Sequence, residues 1–136
     1  MNLHTEITKV GLAAVERGRL LVVRKRGKLS FILPGGKPEA GEDDLSTLVR
    51  ELDEELGCSV ACPAFVGRFA DSAADLPHAN VVVVLYTGSL GGVPSPRAEI
   101  EELAWVDLAG PVEVRLAPSI TNHILPYLRA RFEAGA

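Results

Sequence analysis

The sequence predicts an α/β or α+β sandwich of one mixed β-sheet and two helices. Three observations carry that prediction. Short apolar runs recur along the chain between Gly, Pro and charged turns, and they read as strands. Over residues 43–56 the apolar spacing changes to that of a helix. The run VVVVLY at residues 81–86 is apolar throughout, as in a strand buried on both faces.

Taken in order, residues 7–15 alternate loosely and read as a first strand. Glu16, Arg17, Gly18 and Arg19 form a turn signal, and LLVVRKR (residues 20–26) follows as a second strand, so the two are expected to pair as a hairpin. Gly27 and Lys28 mark another turn. SFILPGG (residues 30–36) takes a short apolar strand into a Pro-Gly-Gly loop. Leu45, Leu48, Val49, Leu52 and Leu56 recur at i, i+3, i+4, i+7 and i+11, which is one apolar stripe of a helix. Asp43 and Asp44 suit its first turn, and Gly57 suits its C′ position. Further strands are expected over residues 59–68, 81–88 and 103–107. SLGGVPSPRAEIEE (residues 89–102) reads as a Gly- and Pro-rich loop, and a loop of that length in a compact domain is usually functional or disordered. A last helix is expected over residues 119–132 with Ser119 as N-cap, and Pro126 inside it predicts a kink or a late start.

No repeat, low-complexity tract or linker divides the chain, so residues 1–136 are read as one domain able to bury its own core. A 47% hydrophobic and 24% charged composition is globular, not disordered. The net charge is −4 and no basic stripe is visible, which argues against sequence-independent nucleic-acid binding. The first ten residues lack the apolar core of a signal peptide, and the longest apolar run is too short to span a bilayer, so the expected location is cytoplasmic with no membrane partner. Cys58 and Cys62, on one strand, would stand about 13 Å apart at ~3.3 Å per residue, too far for a disulfide. They read as small buried residues of a reducing compartment. Homodimerisation is left open.

The helix ends strangely. Glu51, Glu54 and Glu55 are spaced i, i+3, i+4, so their carboxylates neighbour one another in the last turns, just before Gly57. Like charges repel there, and the negative end of the helix dipole repels them further. The spacing places them away from the leucine stripe, toward the outside. A solvated acidic face is the bland reading, but a bound divalent cation would remove both penalties. An all-oxygen ligand set suits Mg²⁺, with Mn²⁺ as a substitute.

The stretch at residues 36–58 resembles the signature of the Nudix hydrolases: Gly, five residues, Glu, seven residues, then Arg-Glu-apolar-any-Glu-Glu-any-Gly-apolar. Gly36, Glu42, Arg50, Glu51, Leu52, Glu54, Glu55, Gly57 and Cys58 fill it in turn. Every fixed position matches, and Cys58 stands where an aliphatic residue is usual. The resemblance implies an α/β/α sandwich and a pyrophosphohydrolase acting on a nucleoside diphosphate linked to another group. It implies that Glu51, Glu54 and Glu55 hold the metal with the Gly36 carbonyl. Arg50 and Glu42 would pair with each other or with the catalytic glutamates.

Such a site also needs a general base, from Glu51 or from a later loop. Glu99, Glu101 and Glu102 are the loop candidates, and Glu102 is carried forward among the catalytic residues with Glu51, Glu54, Glu55 and Arg50. Arg24, Lys25, Arg26 and Lys37 could touch phosphates, and Arg24 and Lys37 are carried forward as substrate-binding. Trp105 and Phe31 read as core, and His4, His78 and His123 receive no role. The markers of the ADP-ribose, dinucleotide, NADH and coenzyme A subfamilies are absent, which leaves a (deoxy)nucleoside triphosphate as the default substrate. The rival reading is a Nudix-fold sensor that binds a nucleotide without cleaving it. Such sensors typically lose the glutamates that this chain keeps.

Overall fold

The computed structural model describes residues 5–135, with side chains to residue 132. His4 lies outside the described residues. The strands are β1 (Thr5–Ala13), β2 (Val15–Glu16), β3 (Arg19–Lys25), β4 (Gly35–Gly36), β5 (Ser59–Ser72), β6 (Ala79–Gly91) and β7 (Ile100–Asp107). A mixed sheet runs in the order β4-β1-β6-β5, with β1 and β6 parallel and the other pairs antiparallel. A smaller antiparallel sheet, β2-β3-β7, stands beside it. The one mixed sheet that the sequence predicts is thus divided into two.

The expected hairpin is correspondingly smaller. Only β2 turns back on β3, pairing Val15 with Leu20 and Glu16 with Arg19. Arg17 and Gly18 both take positive φ (53° and 73°), the tight turn that matches strand twist. β1 instead leaves β3 and lies between β4 and β6. Its apolar residues explain why. Val10 and Leu12 enter one core and Ala13 the other, so the strand needs cover on both faces, which a two-stranded ribbon cannot supply.

Helix α1 (Asp44–Leu56) packs over one core, against Val10, Leu12, Leu21, Val23 and Val84. The C-terminal helical segment packs over the other, where Ile120, Ile124 and Leu128 meet Leu20, Val22, Val83 and Leu85. Adjacent residues of β3 and β6 therefore serve opposite cores. That is an α/β/α sandwich, and it confirms that VVVVLY is covered from both sides. Leu48, Leu52 and Leu56 of the helical stripe are fully buried, but Leu45 and Val49 are 43% and 52% exposed. The stripe is narrower than the periodicity implied.

Asp43 caps α1, its carboxylate accepting from Ser46 N–H at 2.8 Å, and Gly57 closes it in the left-handed conformation at φ 66°. The last helix differs from expectation. Pro118 takes its first position, and Ser119 is already helical (φ −59°, ψ −34°) with no capping bond. Pro126 has no N–H to return to the preceding turn, and the chain widens into a π-helical turn at Ile120–Ile124 before α2 (Leu125–Gly135) continues. β6 is longer than predicted because Ser89, Leu90 and Gly91 pair with Ala61, Val60 and Ser59, and β5 is longer because Phe69, Ala70, Asp71 and Ser72 pair with Val83, Val82, Val81 and Asn80. β7 starts at Ile100, so Glu101 and Glu102 lie on a strand, and the connecting loop shrinks to residues 92–99. Among the described residues no helix is long and apolar enough to cross a membrane.

Candidate active site

The site is built where β4 crosses helix α1. Gly35 has φ 144° and lies against the Val10 backbone with no room for a Cβ. A Cβ on Gly36 would strike the Glu51 carboxyl carbon at 2.5 Å. Two glycines thus let the main chain lie directly on the acids. Gly35 N–H donates to Glu55 Oε1 at 3.0 Å.

The helix therefore buries two flanks. Thr47, Glu51 and Glu55 recur every four residues under this crossing, beside the leucine stripe. The outward placement expected for all three glutamates is corrected accordingly. Glu55 is 1% exposed and the Glu51 side chain 14%, while the Glu54 side chain remains 53% exposed. Glu55 Oε2 is buried with no hydrogen-bond partner. Desolvation raises the Glu55 carboxyl to about 7, with Glu51 and Glu99 adding to the rise and the Gly35 N–H and Lys25 opposing it.

Arg50 ties the cluster together. Its Nε and Nη2 fork onto the two Glu42 oxygens at 2.7 and 2.8 Å, and its Nη1 reaches Glu51 at 2.7 Å and Glu54 at 3.3 Å. Nη2 also donates to the Lys37 carbonyl at 3.2 Å. The Arg50 fork, with Glu39 N–H and the Thr47 hydroxyl, holds Glu42 down to about 2. The guanidinium is correspondingly pushed up, above its already high ordinary value.

Loop 92–99 docks on the far end of α1. Ser95 N–H and Arg97 N–H donate to the carbonyls of Leu56 and Glu55 at 3.1 and 2.9 Å, satisfying the helix end. Arg26 holds the other side, through its N–H to the Glu99 carbonyl at 2.8 Å and its guanidinium to the Ala98 carbonyl at 3.1 Å. Ala98 is held at φ 53°, a strained setting for a residue other than glycine. The result delivers Glu99 to the acids, and Glu51, Glu55 and Glu99 each bring a carboxylate oxygen within 4.8 Å of the others.

Glu54 lies outside this trio, on the Arg50 side. Glu102, carried forward from the sequence, also lies outside it: it bonds Arg24 at 3.1 Å in an exposed pair on the β3–β7 sheet. Glu101 pairs likewise with Arg26 at 3.5 Å. On a strand, Glu101 and Glu102 are fixed by register, whereas Glu99 is aimed by the loop. Arg24, stacked over Phe31 at 5.9 Å, borders neither cavity of the site. Phe31 is core as expected, and Trp105 is half-buried against the α1 core.

Two cavities meet here. One of about 320 Å³ is lined by Gly36, Glu39, Arg50, Glu51 and Glu99. The other, about 260 Å³, has apolar walls that include Ile32, Leu33, Val81, Val83, Ala117 and Ile120. Asp75 closes its edge, accepting from Leu29 N–H, Ser30 N–H and the Ser30 hydroxyl at 3.0, 2.8 and 2.9 Å. Lys9, Lys25 and Lys37 border both cavities. Lys9 went unnoticed in the sequence, where its one signal is a charge inside an apolar strand. Desolvation, aided by Lys25 and Lys37, holds its ammonium down to about 8.

The donor set fits a hard divalent cation. It consists of carboxylates, it includes a buried orphan oxygen, and a side chain at Gly36 would collide with the Glu51 carboxylate.

Comparison with known proteins agrees with this geometry. The NUDIX domain profile matches residues 8–127. The chain is 35% identical over 111 residues to a Mycobacterium tuberculosis protein named "Putative 8-oxo-dGTP diphosphatase 2", covering 78% of this chain and 77% of that one. The MutT protein of Methanosarcina mazei superposes with TM-score 0.75 at 20% identity, covering 96% and 97% of the two chains. A MutT NUDIX hydrolase of Burkholderia pseudomallei superposes with TM-score 0.72 at 20% identity, covering 93% and 98%. The family match and the 35%-identical relative support a pyrophosphohydrolase. The chain belongs to the Nudix hydrolase family.

Proposed function

We propose that this chain cleaves a pyrophosphate bond of a (deoxy)nucleoside triphosphate with Mg²⁺ or Mn²⁺ as cofactor. The observation that carries the reading is the join of an acidic cleft to an apolar cavity, with lysines along the border. Glu51, Glu54, Glu55 and the Gly36 carbonyl would hold the metal. When bound, a divalent cation neutralises phosphate oxygens and lowers the pKa of a water. Arg50 orients Glu51 and restrains the repulsion among the acids. Glu99 replaces Glu102 as the loop carboxylate of the reading. It is the trio's most exposed member, able to take a proton from the attacking water and pass it to solvent. Lys37 contacts phosphate, and the apolar cavity takes the base.

The Mycobacterium tuberculosis relative's name makes 8-oxo-dGTP a first compound to try. Cys58 is buried as expected, whereas Cys62 is exposed; neither thiol is paired, which suits the cytoplasm, part of the same reading. The test is release of pyrophosphate or phosphate from a panel of ordinary and oxidised nucleoside triphosphates, nucleotide sugars and dinucleotides, with and without Mg²⁺. Turnover of triphosphates that stops on chelation is expected. Undiminished turnover after exhaustive chelation, or a preference for dinucleotides, would overturn the reading.

A further inference from the structure

We propose that Lys9 is a substrate-binding residue, gripping the phosphate chain where it leaves the nucleoside. With Lys25 and Lys37 it forms a collar of ammonium groups between the two cavities. This rests on the nucleotide reading above and adds to it a residue on β1, outside the box and outside every loop.

Lys9 is a half-buried residue of the central strand β1, level with Val83 of β6. Burying an ammonium is costly unless an anion answers it. Among the described residues no hydrogen bond or ion pair reaches it, and its nearest charges include two further lysines as well as Glu51 and Glu55. A lysine that merely snorkelled to solvent would turn away from like charges. This one shares a wall with them. Lys25 meets Glu99 only at 3.8 Å, and the three lysines line both cavities.

The order of chemistry decides what the collar meets. Passing from Ile120 and Val81 to Glu51 and Glu99, the walls run apolar, then cationic, then carboxylate. A nucleotide bound to a divalent cation runs apolar base, then anionic phosphate, then metal. Lys9 could instead donate to a carbonyl of the base. Its crowding by Lys25 and Lys37 favours the group with formal negative charge, since only that relieves the repulsion.

Calorimetric titration of wild type, Lys9→Met and Lys9→Arg tests the assignment, with Mg²⁺ present. The probes are the α,β-methylene analogue of deoxyguanosine triphosphate, deoxyguanosine, and inorganic tripolyphosphate. Lys9→Met should weaken the analogue and tripolyphosphate by about 10- to 100-fold, the loss of one charge-assisted hydrogen bond. Deoxyguanosine binding should be unchanged, and Lys9→Arg should stay within a few-fold of wild type on every probe. Unchanged triphosphate binding in Lys9→Met would overturn the proposal. So would an equal loss for deoxyguanosine, which would make Lys9 part of the base pocket. A wild type that takes tripolyphosphate but not the analogue would refute the nucleotide reading alone, because the lysine effect on tripolyphosphate is read separately.

Discussion

Replacing Glu55 by Gln removes a buried charge while keeping an oxygen for the Gly35 N–H. Its effect on the metal-free protein follows from the carboxyl being raised from 4.5 to about 7 by burial. Below the lower value the side chain is neutral in both the folded and unfolded chain. As pH rises, the unfolded chain ionises first, so wild-type stability is lost progressively until the folded carboxyl also ionises near 7. The loss is about 1 kcal/mol at pH 5 and about 3 kcal/mol at pH 8, at 1.36 kcal/mol per pH unit of difference. Gln is neutral throughout. Glu55→Gln should therefore exceed wild type in stability by those amounts, measured by urea unfolding with metal chelated at the two pH values. Mg²⁺ at pH 8 should then narrow the gap, since it stabilises only a protein that binds it. Hydrolysis by the variant should fall by orders of magnitude. A stability difference that does not change with pH, or a variant weaker than wild type at pH 8, would refute the argument.

Glu99→Gln should lower the rate at saturating substrate sharply, while Glu101→Gln and Glu102→Gln, which break only exposed pairs with Arg26 and Arg24, should leave it nearly unchanged. Three near-normal rates would return the base to Glu51. Arg50→Lys cannot reproduce the fork to Glu42 together with the bond to Glu51, and the rate should fall about 10- to 100-fold, as for partners that orient metal ligands. A Lys variant with wild-type kinetics would show that the fork is not required. Asp75→Ala frees the wall of the apolar cavity from Leu29 and Ser30, so KM should rise several-fold with kcat almost unchanged. An equal fall in kcat would mean that this wall also positions the reacting phosphate.

Local interactions were legible in the sequence because they act between near neighbours. The helix over residues 44–56, its Asp43 cap and its Gly57 stop follow from spacing and capping chemistry. The full set of box residues marks the family, and the apolar β6 run implies a strand buried on both faces, as the two cores show. What the periodicity could not show was how many flanks of α1 are covered. Glu55 is buried because β4, twenty residues earlier in the chain, crosses that flank through two glycines. Separating β1 from β3 likewise depends on which strands arrive from residues 79–91, a long-range pairing with no local signature. The three loop glutamates are alike in sequence. Only the docking of residues 95 and 97 on the helix end and the pairing of β3 with β7 send Glu99 to the acids and Glu102 to Arg24. Lys9 was hidden for the same reason. A strand residue's neighbours across a sheet and across a cavity are set by tertiary packing, while its neighbours in the chain decide only which face it occupies.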